Sequence, residues 1–70
     1  NPVNDQLTIE NQESVIKEVR VYDILGREMN KSYPNDLKTT INTNHLIEGI
    51  YILKIKTENY SFMHKIHVNR

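Results

Sequence analysis

The segment Gly49-Ile50-Tyr51-Ile52-Leu53-Lys54-Ile55-Lys56 contains the clearest structural signal in this chain of 70 residues. Apolar side chains recur at every second position from Tyr51, which is the pattern of a strand with one buried face. A short polar turn, Thr57 to Asn59, separates this segment from a second β-prone run, Tyr60 to Arg70. The two runs therefore predict a β-hairpin in the last third of the sequence.

Alternating hydrophobicity continues through most of the remaining sequence, and helical periodicity is hard to find. The earlier strands are predicted at Gln6 to Glu10, Ile16 to Asp23, Glu28 to Tyr33 and Leu37 to Asn42. Gly26 stands where a tight hairpin needs a positive φ, and Leu46 is expected to fill the core from the connection before the fifth strand. About six to seven short strands at this spacing predict an all-β fold, an antiparallel β-sandwich.

The period of two residues divides each strand between a core face and a solvent face. The expected core combines Tyr51, Leu53 and Ile55 with Leu7, with Val19 or Val21, and with Ile41. In the final strand, Phe62, Ile66 and Val68 share one face with His64, whereas Met63, Lys65, His67 and Asn69 share the other.

Length and composition limit the possible functions. Seventy residues make one domain, and a core of this size contributes roughly 3–5 kcal/mol. The chain has no cysteine, so disulfides and thiolate metal sites are excluded. Nine basic and nine acidic side chains cancel, which argues against a nucleic-acid partner. No apolar run is long enough for a signal peptide or a membrane span, and the start at Asn1-Pro2, without methionine, suggests a piece of a longer protein.

No catalytic or cofactor-binding motif emerges. His64 and His67 are three residues apart, which in a strand directs them to opposite faces, and His45 lies in a separate loop. The serines stand in turn or edge contexts, and no glycine-rich phosphate loop is present. We therefore expect no enzyme activity, no metal, no cofactor and no small-molecule substrate.

Three ordered parts of the chain resemble one protein family. They are Asn1-Pro2 with Leu7-Thr8-Ile9, then Val19 to Met29, then Ile41 to Leu46 with Gly49 to Ile55 and Lys65 to Val68. In this order and spacing they resemble the type A C-terminal sorting domain of the Bacteroidetes type IX (Por) secretion system. The resemblance covers essentially the whole chain and implies an immunoglobulin-like β-sandwich. It also implies that residues 1–70 are a single C-terminal sorting domain, excised from a larger secreted precursor.

The resemblance implies a secretion signal and names its partners. An upstream cargo domain of the same precursor would reach the periplasm, and this domain would direct it across the outer membrane through the type IX translocon. A surface sortase-like cysteine protease usually removes the domain and attaches the cargo to an anionic lipopolysaccharide. The implied destination is therefore secreted or cell surface. The sequence departs from the family pattern at His67, where an aliphatic residue is expected.

Candidate site residues fall into two groups. Asp23, Gly26, Gly49 and Tyr51 are family motif positions that suit a tight hairpin and a loop exit followed by a large core ring, whose hydroxyl can reach the surface. Direct contact with the secretion machinery stays open for them. The candidate export signal consists of Lys65, Ile66, His67, Val68, Asn69 and Arg70. Within it, the aliphatic side chains are expected in the core, and Lys65, His67 and Arg70 point outward.

The lysines on the outer face of the fifth strand are interpreted as a guard against aggregation, because edge strands are commonly protected by charge. The residues also leave a second function open, a small immunoglobulin-like accessory or binding module of a secreted enzyme or adhesin. A surface ligand site normally uses exposed aromatic side chains in a concave patch. Only four tyrosines and one phenylalanine are present, and several lie on core positions, which favours the sorting function.

Overall fold

The computed structural model describes residues 2–3 and 5–69, with side chains from residue 5 onward. Across these residues the chain forms seven strands and no helix: β1 (Pro2–Val3), β2 (Gln6–Glu10), β3 (Ile16–Asp23), β4 (Glu28–Ser32), β5 (Lys38–Asn42), β6 (Gly49–Thr57) and β7 (Ser61–Val68). The all-β prediction is confirmed, and each predicted strand agrees with the observed one to within two residues at either end. Nothing in the described part of the chain forms a helix capable of crossing a membrane.

The strands form two sheets, with the order β1-β7-β6-β3-β4 in one and β2-β5 in the other. Neighbouring strands are antiparallel except β1, which runs parallel to β7 and sets Pro2 opposite His67 and Val3 opposite Val68. The sequence did not predict β1, because two residues carry no readable periodicity. Strand β6 lies in the middle of the five-stranded sheet. The two-sheet arrangement agrees with the predicted sandwich, and its closer assignment as immunoglobulin-like stays a prediction.

The core lies on the inner face of the five-stranded sheet. Its buried members are Ile16, Val19, Val21, Ile41, Leu46, Tyr51, Leu53, Ile55, Ile66 and Val68. Leu46 fills the core from a connection, as predicted. Leu7 and Ile9 of β2 are only partly buried where they pack against this cluster, so the expected full burial of Leu7 is wrong. A sheet of two strands covers the larger sheet thinly, which leaves its own inner side chains half exposed.

An extra residue in β3 explains why the hydrophobic spacing of that strand is irregular. Ile16 and Val19 are both buried although they lie three residues apart, a spacing that an unbroken strand would send to opposite faces. The pairing shifts between Ile16 and Glu18, as in a β-bulge, and Lys17 is the extra residue. Its ammonium group donates a hydrogen bond to Oδ1 of Asn35 at 2.7 Å.

The inner face of β7 is only partly covered. Ile66 and Val68 are buried, whereas Phe62 and His64, on the same face, are exposed. The prediction that these four residues share a face is therefore right, but Phe62 is 42% exposed and does not belong to the core. Its ring lies against that of Tyr60 instead, with centroids 5.9 Å apart.

Polar side chains connect the turn before β7 to the turn before β3. The Oγ1 atom of Thr57 accepts hydrogen bonds from the backbone N–H groups of Asn59 and Tyr60, which closes the predicted turn. The side-chain amide of Asn59 donates to Oγ of the buried Ser14 at 2.8 Å. This end of the sandwich is therefore held by hydrogen bonds and orients the β6–β7 hairpin on the core.

Replacement of Leu53 by alanine tests the core. Leu53 is 3% exposed in the central strand, and the loss of such a side chain costs about 2–5 kcal/mol. Since so small a core supplies only about 3–5 kcal/mol, most of the Leu53→Ala protein should be unfolded at 37 °C, as measured by thermal and urea denaturation. The neighbouring exposed Lys54→Ala is the control, expected to change stability by about 0.5 kcal/mol or less. A Leu53→Ala protein that melts within a few degrees of the original would contradict the assigned core.

Candidate functional site

The terminal strand β7 divides the candidate export-signal residues between two faces. Ile66 and Val68 are buried in the core, at 3% and 0% exposure, whereas Lys65 and His67 lie on the opposite, exposed face. Asn69 follows the strand and is exposed, and Arg70 lies outside the described residues. A partner that binds the folded domain can therefore reach the outward side chains, but not the aliphatic ones.

The backbone at the end of β7 has neighbours on both sides. Strand β6 sets Ile50 opposite His67 and Gly49 opposite Val68, while β1 pairs with the same two residues of β7 from the other side. A strand from a partner cannot add at these positions unless it displaces β1, because strand addition needs an unpaired edge. Recognition at this end of the folded domain therefore depends on side chains.

The lysines of the fifth predicted strand do not guard an edge. Lys54 and Lys56 lie on the outer face of β6, which is paired with β3 on one side and β7 on the other. A strand flanked on both sides exposes no row of unpaired backbone groups, so the predicted role against edge aggregation is wrong. These side chains belong instead to the solvent face of the five-stranded sheet.

Arg20 links two carboxylates on this outer face. Its guanidinium donates hydrogen bonds to Glu18 on the same strand and, at 2.6 Å, to Oε1 of Glu28 on β4. These hydrogen bonds raise the pKa of Arg20. The hydrogen bond from Arg20 is also the main reason that the pKa of Glu18 is lowered, and the charges of Lys56 and Lys54 act in the same direction. One arginine therefore links the side chains of two glutamates on neighbouring strands.

The β3–β4 hairpin is organised by the side chain of Asp23. Its Oδ1 atom accepts hydrogen bonds from the N–H groups of Leu25 and Arg27, each at 2.9 Å, and its Oδ2 atom accepts one from Nε of Arg27 at 2.6 Å. Gly26 adopts φ +86°, a conformation that residues with a side chain rarely adopt. Two of the predicted motif positions, Asp23 and Gly26, thus form the turn.

These contacts control the charge of Asp23. Partial burial of the carboxyl group opposes its ionisation, but the hydrogen bonds from the backbone and side chain of Arg27, with that from Leu25, together outweigh the burial and lower the pKa of Asp23. The ionised carboxylate is therefore the form that holds the hairpin together.

Gly49 and Tyr51 lie at the start of the central strand. The ring of Tyr51 is 3% exposed, and its hydroxyl donates a hydrogen bond to the carbonyl of Ile47 at 2.7 Å. The partner of the hydroxyl is thus the backbone of the exposed connection before β6. This hydrogen bond holds the connection that precedes β6, and Ile47 with it, close to the sheet.

An apolar patch at this end of the molecule was not predicted from the sequence. Ile24, Leu25 and Ile47 are 75%, 74% and 79% exposed, and they line an open groove together with Met29 and Ile50. Since the hydrogen bonds of the turn are made by backbone groups and by the side chains of Asp23 and Arg27, the fold does not require two aliphatic side chains at its tip. Contiguous exposed apolar groups of this kind are typical of binding surfaces.

A signal for this patch was present in the sequence. Polar and small residues usually occupy a tight turn, yet Ile24 and Leu25 stand directly before Gly26. The predicted hairpin rested on Gly26. The chemistry of Ile24 and Leu25, which is unusual for a turn, was the available clue.

The three histidines do not converge. His64 is paired opposite Leu53 on the inner face of the sheet, and His67 opposite Ile50 on the outer face, as the spacing predicts. His45 lies in the connection between β5 and β6. Within residues 5–69, no group of three or more histidine, aspartate or glutamate side chains is arranged to hold a metal ion.

Comparison with known proteins gives one match. The family model described as "Secretion system C-terminal sorting domain" matches residues 1–69, which is nearly the full length of the chain. Neither the curated proteins nor the solved structures gave a significant match.

The charge of Asp23 predicts a pH-dependent stability. Its pKa in the folded domain lies below the ordinary value of 3.8, so its stabilising effect is fully present above that pH and is lost as the pH falls through the lower, folded value. The melting temperature of Asp23→Asn should therefore lie below that of the original protein near neutral pH, and the difference should shrink below about pH 4.

Thermal denaturation followed by circular dichroism across this range measures the effect. Glu13→Gln, which removes an exposed carboxylate on the surface, is the matched control and should give a small difference at every pH. A gap between Asp23→Asn and the original protein that stays constant down to about pH 2 would show that the carboxylate charge does not hold the hairpin.

Proposed function

The chain belongs to the family of secretion system C-terminal sorting domains. We therefore propose that residues 1–70 act as a folded secretion signal for a cargo domain located upstream in the same precursor. A sorting domain of this family belongs to a protein that type IX secretion exports through the outer membrane, to be secreted or attached to the surface. The family is not an enzyme family. The function of the domain is thus to be recognised.

The observation that carries this proposal is the family match over residues 1–69, because it spans every strand of the sandwich rather than a short motif. Burial of Ile66 and Val68 supports a folded form of the signal, since these two candidate signal residues are held inside the core. In this proposal Ile66 and Val68 hold the terminal strand in the fold, and the export machinery recognises other side chains.

In this proposal the export machinery recognises the side chains of Lys65 and His67 on the outer face of β7. It also recognises Arg70, which stands two residues after the strand in the sequence. Strands β6 and β1 flank the backbone of His67 and Val68. A component of the translocon would therefore recognise the charge and shape of the side chains at this strand. Electrostatic recognition at an exposed surface gives specificity and a fast encounter, and it weakens as salt increases.

Removal of the domain follows export in this proposal. A sortase-like cysteine protease at the surface would cut the chain on the N-terminal side of the domain and release the cargo. The peptide bond that is cut would lie before the domain, and the protease would supply the nucleophile.

A reporter fusion tests the sorting function directly. Residues 1–70 are placed after a periplasmic signal peptide and a fluorescent protein in a host with a working type IX system. We expect the reporter at the cell surface or in the medium, and in the periplasm when the domain is omitted. Retention of the complete fusion in the periplasm of a competent host would refute the proposal.

A double substitution at the terminal strand separates recognition from folding. Lys65→Ser with Arg70→Ser changes two polar positions and should alter stability by about 0.5 kcal/mol or less for each. If charge at this strand is read, the variant fusion should melt like the original and yet accumulate in the periplasm, as measured by cell fractionation. Lys38→Ser, on the other sheet, is the control and should be exported. Normal export of the folded double variant would show that the export machinery recognises another surface of the domain.

A further inference from the structure

The outer face of the five-stranded sheet brings together cations from four strands. Cross-strand pairing sets Arg20 directly opposite Lys31 on β4 and Lys54 on β6, so that three cations form one row across the sheet. Lys65 of β7 is opposite Ile52, and Lys56 is opposite Glu18. The lysines are all exposed.

The charge of this face is unbalanced although the chain is neutral. Five cations, Arg20, Lys31, Lys54, Lys56 and Lys65, share the face with two carboxylates, Glu18 and Glu28. The face therefore has an excess of three positive charges in a chain whose formal net charge is zero, and the excess negative charge lies elsewhere in the sequence.

Folding does not account for this arrangement. Like charges directly opposite each other on neighbouring strands are destabilising, and both carboxylates of the face are bound to Arg20. Within residues 5–69, no ion pair includes any of the four lysines of this face. Lys54 and Lys56 also lie on a central strand with no edge to protect. The lysines therefore give this face more positive charge than its two carboxylates balance.

The basic face continues into the apolar groove at the end of the sheet. Ile50 belongs to both, since it lines the groove and is paired opposite His67 on the outer face. Ile52 and Tyr22 follow on the same face and are paired with each other. One continuous surface thus has aliphatic side chains at one end and unpaired lysines at the other.

We propose that this surface docks an acidic protein of the export machinery, which places an apolar side chain in the groove and carboxylates over the lysines. The inference rests on the sorting function and extends it from the terminal strand to the whole outer face. Charge complementarity identifies the partner as acidic. The groove is concave and mostly apolar, and its lining residues Asp23 and Arg27 are bound to each other. A concave apolar site suits a protein side chain better than the head groups of an anionic membrane.

Two double variants and two matched controls test the surface in the reporter fusion. Lys54→Glu with Lys65→Glu reverses charge on the outer face, and Lys17→Glu with Lys38→Glu makes the same change in net charge elsewhere. Ile24→Ser with Ile47→Ser removes the two most exposed aliphatic side chains of the groove. Tyr33→Ser with Leu37→Ser removes exposed apolar groups, 62% and 44% exposed, outside the groove. Thermal denaturation of each 70-residue domain shows whether it is folded.

The expected result is that both surface variants are folded but their exported fraction falls roughly tenfold or more, because charge and central apolar anchors dominate such interfaces. Both controls should be exported like the original. A photo-crosslinking residue at position 56 should form a protein adduct in the host, and Lys54→Glu with Lys65→Glu should reduce its yield by a similar factor. Normal export of the two folded surface variants overturns the inference.

Three further results would also overturn it, each for a different reason. Binding to phosphatidylglycerol vesicles that both surface variants lose, with export unchanged, would identify a membrane as the occupant. Sedimentation of the domain as a dimer that both surface variants dissociate, again with export unchanged, would identify a second copy. Failure of the unmodified fusion to be exported would remove the sorting function itself, and the inference with it.

Discussion

The structure depends on the burial of one face of the central strand β6. Tyr51, Leu53 and Ile55 belong to the core between the two sheets. The chain has no cysteine, so no disulfide can replace this packing. Burial of a large apolar side chain stabilises by about 1.5–3 kcal/mol, which is large against the margin of so small a domain. The packing of the two sheets on each other depends on this layer.

Because the inner face supports the fold, the outer face of the same sheet is available for function. Alternation along β6 and β7 means that consecutive residues serve different purposes: Leu53 and Ile66 stabilise, whereas Lys54 and Lys65 are exposed. Substitutions on one face therefore change stability, and substitutions on the other change the surface with little effect on folding. The hairpin at Asp23 obeys a similar division, since the carboxylate and Gly26 shape the turn while the aliphatic tip faces solvent.

The strands and most of the core could be predicted from the sequence, because period-two alternation and turn residues are local signals. Leu53 and Val21 show this, as do the limits of β2 and β3. The position of a strand within its sheet is not a local property, so β6 was treated as an edge. The sequence also did not predict that Phe62 is exposed, because its burial depends on how far the strands of the smaller sheet extend over β7.

The candidate site was predictable only in part. The terminal strand could be located, and its inward and outward side chains could be assigned by parity. The basic row through Arg20 could not be found, because it depends on the register between strands that are far apart in sequence. Thr43 is fully buried although it lies in the polar segment Asn42 to His45. Only tertiary packing distinguishes such a residue from an exposed one.

The pairing of β3 with β6 has a consequence for synthesis on the ribosome. Asp23 pairs with Tyr51 and Ile16 with Thr57, so the β3–β4 hairpin has no partner on the other side of β3 until the last third of the chain has been made. Contacts so distant in sequence form late and slowly. A polypeptide whose translation stops before residue 61 also lacks β7, and so lacks Ile66, Val68 and part of the outer face. A domain built in this way can fold only after β7 has been synthesised, and products that stop before residue 61 lack that strand.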